Sequence, residues 1–165
     1  MNEQIKAEEF AEYLSDDELS KLAPLLDRLS LLEDQKTNQD NYLKFVKKIW
    51  PSFIEGKHHK IYADKLQQVA DGKIKRLIVN MPPRHTKSEF ASYLFPAWLM
   101  GRRPDLKIIQ ATHTAELAVG FGRKVKNLID SDDFRDIFPE IKLATDAKAS
   151  GRWSTNGGGE YYAVG

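Results

Sequence analysis

Three features of this chain predict an α/β fold built on a parallel sheet. Two short, β-branched apolar runs occur, residues 75–81 (KRLIVNM) and 107–111 (KIIQA). Each precedes a stretch with helical periodicity. Strand, helix, strand, helix at this spacing implies parallel strands joined by right-handed crossovers. The third feature is size, since 165 residues with 41% hydrophobic content suffice for one ordinary core and not for two large domains.

Along the chain, residues 8–14 read as a short helix. Ser15 and Glu18 have the spacing of a capping box, so a helix is expected over 16–33, with Leu19, Leu22, Leu26 and Leu29 on one face. Pro24 is a candidate kink or break. The polar run 34–40 (DQKTNQD) reads as a linker. Tyr42, Phe45, Val46, Ile49 and Trp50 recur at helical spacing and form a buried stripe up to Pro51. A turn at Glu55-Gly56 leads to a helix over 59–70, closed by Asp71-Gly72.

Residues 75–81 then read as a buried strand, stopped by Pro82-Pro83. A helix over 88–100 follows, with Phe90, Leu94, Trp98 and Leu99 inward, ended by Gly101 and Pro104. After the second buried strand, 107–111, comes a helix over 115–129 with Leu117, Phe121, Val125, Leu128 and Ile129 on its apolar face. Trp153 and residues 160–164 read as short strands around the turn at Gly157-Gly158-Gly159. Trp50, Trp98 and Trp153 all lie in apolar patterns and are expected in the core.

Charge divides the chain. Residues 1–40 carry 4 Lys/Arg and 11 Asp/Glu, a balance of −7, while residues 41–165 carry +8. An acidic leader of 1–40 and a basic body of 41–165 suggest two units. A basic body suits a polyanion, whether nucleotide or DNA. The absence of Cys excludes disulfides and thiolate metal sites. The four histidines, 58, 59, 85 and 113, contain no i, i+4 pair, which argues against a histidine-held metal. No apolar run approaches the ~20 residues that span a bilayer, and the start MNEQIKAEEFAEYL is not a secretory signal, so a cytosolic location is expected.

The chemistry concentrates between the first strand and its helix, in Pro82-Pro83-Arg84-His85-Thr86-Lys87-Ser88. A strand–loop–helix junction offers backbone N–H donors and the positive end of a helix to a phosphate. Lys87 can reach β- and γ-phosphates, and Ser88 can place its hydroxyl on a phosphate-bound Mg²⁺. Against G-x-x-x-x-G-K-[ST], Met81 stands at the first Gly, Thr86 at the second, and only Lys87-Ser88 agree. A Cβ at residue 86 crowds the approach of phosphate to the backbone.

The segments RLIVNMPPRHTKSEF, FPAW, KIIQATHTAELAVGFGRKVKNLI and KASGRWSTNGGGEYYAVG, in that order, resemble the large terminase subunits of tailed bacteriophages over residues 41–165. That family pairs an ATPase with a nuclease, and its loop usually reads Pro-Pro-Arg-His-Gly-Lys-Ser. The resemblance implies a three-layer, RecA-like P-loop core with a parallel sheet, here truncated, behind a helical leader. It implies ATP and Mg²⁺ as cofactors, held by Pro83, Arg84, His85, Thr86, Lys87 and Ser88, with Ser88 toward the metal and His58 and His59 near the adenine. Lys87 and Arg84 would be the catalytic cations, Arg84 at the γ-phosphate. Implied partners are double-stranded DNA, the portal, the small terminase subunit and further copies in a ring, with no membrane. The implied location is the host cytoplasm and, transiently, the capsid portal.

Other positions carry weaker expectations. Thr112 is read as a turn residue that could reach the loop. Arg123, Lys124 and Lys126 lie on a helix face that reads as solvated and could otherwise meet DNA or a neighbour, and Arg152 could meet DNA or a neighbouring nucleotide. No apolar strand ends in the acidic pair that P-loop hydrolysis needs, and Asp132-Asp133 follow a helix. The chain is therefore expected to be a fragment or early-terminated product, inactive as an ATPase by itself. The alternatives are a non-catalytic binding module from a truncated terminase and a P-loop ATPase of cellular DNA metabolism.

Overall fold

The computed structural model describes residues 15–145 and 149–165. The expected helix over 8–14 lies outside the described residues. The chain divides into two compact units, Met1–Asp34 and Gln35–Gly165.

In the first unit, helix α1 (Asp16–Asp40) begins at the expected capping box. The Ser15 N–H and hydroxyl both donate to the Glu18 carboxylate, at 2.9 and 2.7 Å. These bonds hold the Glu18 carboxyl below the usual glutamate range. The helix continues through Pro24. Leu25, Leu26 and Leu29 stay 63, 61 and 55% exposed, so their face is not core.

The polar run 34–40 is helical rather than a linker. Its side chains explain this: in the second unit the Gln35 and Gln39 amides donate to the carbonyls of Asp136 and Ile137, at 2.6 and 2.5 Å. The Asn38 carbonyl accepts from the indole N–H of Trp98 at 3.1 Å. The polar groups thus serve the free C=O groups at the end of another helix, which the sequence pattern does not encode.

Helix α2 (Tyr42–Ile49) is capped by Asn41, whose side chain accepts from the Lys44 N–H. It buries Tyr42, Phe45 and Val46 as the stripe predicts. Helix α3 (Lys57–Ala70) follows. After the loop comes a π-helical turn, Glu89–Leu94, which continues as α4 (Phe95–Arg102). Strand β1 (Lys107–Ala111), α5 (Ala115–Ile129), α6 (Asp132–Ile137), β2 (Arg152–Ser154) and β3 (Glu160–Val164) complete the unit. Its core gathers Tyr42, Phe45, Phe90, Trp98, Phe134 and their neighbours. Tyr42 packs at 5.1 Å from Trp98 and 5.3 Å from Phe95, and its hydroxyl donates to the Phe90 carbonyl at 2.7 Å. Burial pushes this hydroxyl well above the usual phenol pKa.

The sheet corrects the expected architecture. It has three strands in the order β1-β3-β2, with β3 parallel to β1 and antiparallel to β2. The second unit is mainly helical with a small mixed sheet, not a three-layer RecA-like core with a parallel sheet. One sheet face packs against α5 through Tyr161 and Trp153, whose rings stack at 4.9 Å. On the other face Ile109 is 72% exposed, so β1 is half-buried rather than a buried strand.

Residues 75–81 do not form a strand among the described residues. Leu77, Val79 and Met81 pack against the core while Ile78 is 87% exposed. The alternation of a strand is present, but no neighbouring strand among the described residues completes a hydrogen-bonded ladder. Side-chain periodicity reads burial, whereas a β-strand also needs a partner for its backbone. In α5, Leu117 is 41% exposed and Phe121 is only half-buried.

Gly122 sets the approach of α5 to the sheet. Its carbonyl accepts from the Trp153 indole at 3.2 Å. A Cβ at this position would lie 2.5 Å from the Ser150 carbonyl oxygen, a backbone atom that cannot swing aside. Gly122→Ala is therefore expected to destabilise the fold by about 1–3 kcal/mol despite its better helix propensity. Urea unfolding followed by tryptophan fluorescence would check this, and an unchanged midpoint would refute the close approach.

Candidate functional site

The loop from Met81 to Ser88 connects the extended segment to the next helix. Helical hydrogen bonding starts with the Phe90 N–H donating to the Thr86 carbonyl at 2.9 Å. The N–H groups of Lys87, Ser88 and Glu89 therefore lie in the first turn, where a helix has no internal acceptors for them. They border an open concavity of about 580 Å³, lined by Met81, Pro82, Pro83, Arg84, Thr86, Lys87, Ser88 and Glu89. Five of the six loop residues expected from sequence, Pro83, Arg84, Thr86, Lys87 and Ser88, thus line one cavity. His85 is not among its lining residues; its Nδ1 lies 2.9 Å from the Pro83 carbonyl.

Two side chains hold a left-handed backbone here. Arg84 has φ 62° and Thr86 φ 59°, and no other non-glycine residue described has a positive φ. Each such residue costs roughly 1–2 kcal/mol. The Lys87 ammonium, the Arg84 guanidinium and the Ser88 hydroxyl have no partner among the described residues. The acid in the lining, Glu89, is engaged by Lys124 at 3.3 Å. The concavity thus presents two unpaired cations, the unpaired Ser88 hydroxyl and a helix N-terminus.

Two tyrosines support the loop, Tyr42, expected from sequence only as a core residue, and Tyr62, for which the sequence carried no expectation. The Tyr62 hydroxyl donates to the Lys87 carbonyl at 3.2 Å, and Tyr42 holds the Phe90 carbonyl. Burial raises Tyr62 to about 12. The available signal was spacing, since Tyr62 stands three residues after His59 and so on the same helix face.

The histidine pair lies beside the loop. His59 is buried near the start of α3, where Nδ1 accepts from the Gly56 N–H at 2.9 Å and Nε2 lies 2.8 Å from the Thr86 hydroxyl. The His58 ring is 3.8 Å from His59 and 5.7 Å from His85. His58 and His59 therefore meet the loop directly. Among the described residues no group of three His, Cys, Asp or Glu is arranged to hold a metal ion.

Desolvation holds His59 below the usual histidine range. The neighbouring His58 and, less strongly, His85 act in the same direction, and Glu55 opposes them. The unfolded chain binds a proton at this residue near pH 6.5 and the folded chain resists it. Stability should therefore fall as pH drops below about 6.5, until the folded histidine also titrates. Urea midpoints at pH 7.5 and 5.5 should differ more for the wild type than for His59→Gln. Equal differences would show that His59 carries none of this dependence.

The remaining candidates lie elsewhere. The Thr112 hydroxyl donates to the Thr114 carbonyl in a turn. Besides meeting Glu89, Lys124 lies over the Tyr93 and Phe121 rings, at 5.8 and 5.9 Å. Arg152 stacks on Tyr162 at 4.9 Å, and its guanidinium donates to that hydroxyl. Trp98 and Trp153 are core, as expected, while Trp50 is half-buried and its indole donates to Ser52. No described helix is long and apolar enough to cross a membrane. In comparisons with family models, curated proteins and solved structures, no match to this chain was found.

Proposed function

We propose that the 81–89 loop binds the phosphates of a nucleotide, and that the chain is the ATP-binding part of a motor that packages double-stranded viral DNA. One observation carries the phosphate reading: the two left-handed non-glycine residues described sit together, in the loop that lines a cationic concavity at a helix start. Strained backbone of this kind persists where a site requires it. The open volume, the unpaired Lys87 and Arg84 and the first-turn N–H groups suit a triphosphate. Ser88 would be the residue to hold a nucleotide-bound Mg²⁺, which would supply charge neutralisation. Lys87 would meet the outer phosphates and Arg84 the terminal one. The assignment to a packaging motor rests on the terminase-like segments of the sequence.

The unladdered segment before the loop and the Cβ of Thr86 favour a second reading, a binding module without turnover. In this form the site holds nucleotide and the described residues supply no acidic pair beside it. Titrating the full chain with Mg-ATP, with phosphate release measured in parallel, tests both. Saturable binding that Lys87→Ala removes supports the phosphate site. Absence of binding by the folded wild type would sink it. Phosphate release that depends on Lys87 would overturn the module reading.

A further inference from the structure

We propose that His59 is a positioning residue for the loop: in its neutral Nε2–H form it holds Thr86 in the left-handed conformation that shapes the phosphate concavity. This rests on the phosphate reading above for its ligand, and on geometry alone for its mechanism.

The hydrogen-bond directions follow from one fixed donor. The Gly56 N–H can only donate, so Nδ1 of His59 must be its acceptor, at 2.9 Å. The ring proton then belongs on Nε2, which donates to the Thr86 hydroxyl at 2.8 Å. That hydroxyl donates onward to the His85 carbonyl at 2.6 Å. Each donor in this chain has one acceptor, and no proton is left over.

The ring itself is fixed. His59 is 6% exposed, with Phe53 at 4.7 Å against it and Phe90 stacked at 5.4 Å. Its anchor Gly56 and its target Thr86 lie in different segments, so the imidazole is a strut between the start of α3 and the loop. Thr86 needs such a strut because a β-branched residue at φ 59° is disfavoured. A glycine there would adopt the same angle without help. The hydroxyl that accompanies the unfavourable Cβ is the atom the strut grips. His59 and Thr86 therefore act as a pair, and the cost of losing His59 depends on what occupies position 86.

A double-mutant cycle on the full chain tests this, with Mg-ATP as the probe. His59→Phe keeps a ring in the aromatic cluster and removes the bond. Thr86→Val removes it from the other side and keeps the shape. Each is expected to weaken Mg-ATP binding on the order of tenfold, the scale of one left-handed residue losing its support. Thr86→Gly should bind at least as tightly as wild type. Adding His59→Phe to Thr86→Gly should cost less than about twofold, because glycine no longer needs the strut. Equal losses from His59→Phe in the wild-type and Thr86→Gly backgrounds would overturn the proposal, as would no loss in the wild-type background.

A second measurement is independent of nucleotide. Nitrogen-15 spectra of the imidazole should show Nε2 protonated and Nδ1 not at pH 7.5. The Thr86 Cα and Cβ shifts should leave their left-handed values in His59→Phe. The opposite tautomer, or unchanged Thr86 shifts, would overturn the strut. If the wild type shows the tautomer and the shifts but does not bind Mg-ATP, the phosphate reading fails and the strut stands.

Discussion

Lys87→Ala is expected to weaken Mg-ATP binding by about a hundredfold or more while leaving the unfolding midpoint unchanged. The magnitude follows from charge-assisted bonds to phosphate, worth about 1.5–3 kcal/mol each, where one ammonium meets more than one oxygen. The unchanged stability follows from the structure, since Lys87 is exposed and its ammonium has no partner among the described residues to lose. Its backbone is held independently, through the Tyr62 hydroxyl on its carbonyl. Calorimetric titration beside urea unfolding separates the two effects. A large loss of stability would mean that Lys87 serves the fold, and full retention of affinity would remove it from the site. Lys124→Ala, which frees Glu89 to face the concavity, is a useful companion because it should weaken binding only modestly.

The largest structural effect is expected at Trp98. Trp98→Ala should destabilise the second unit by about 4 kcal/mol, enough to leave a domain of ordinary stability partly unfolded. The ring is fully buried, packs on Tyr42 and Phe95, and carries the Arg102 guanidinium over its face at 4.7 Å. Its indole also donates to the Asn38 carbonyl. Removing it empties a large volume and deletes that hydrogen bond. Trp98→Phe refills most of the space and should recover more than half of the loss. If Trp98→Ala matched Trp98→Phe in a thermal or urea melt, the packing account would be wrong.

How far the site could be read from sequence differs by residue. Lys87 and Ser88 were legible from their place before a helical stretch, and they do border the concavity. His59, as a partner of Thr86, was not legible. Its distance from Thr86 along the chain is 27 residues, and a resemblance that placed it near a base gave no reason to pair it with the one loop residue that departs from the usual pattern. Tyr42 was legible as a core position but not as a donor to the Phe90 carbonyl, and nothing in the pattern marked Tyr62 as a donor to the loop. Lys124 read as a solvated charge and is instead paired to the site's own acid.

Several of the helices were readable from the chain alone, because helix hydrogen bonds and caps are local. The Ser15–Glu18 box, the Asn41 cap and the stripe of Tyr42, Phe45 and Val46 all involve residues within a few positions of one another. Long-range contacts set the rest: residues 75–81 stay unladdered, 34–40 is helix, and the sheet is mixed with Ile109 exposed on one face. Each of these depends on a partner distant in the chain, whether a neighbouring strand, a helix end with spare carbonyls or a second covering layer. Periodicity reports how much of a side chain is buried, not what will meet its backbone.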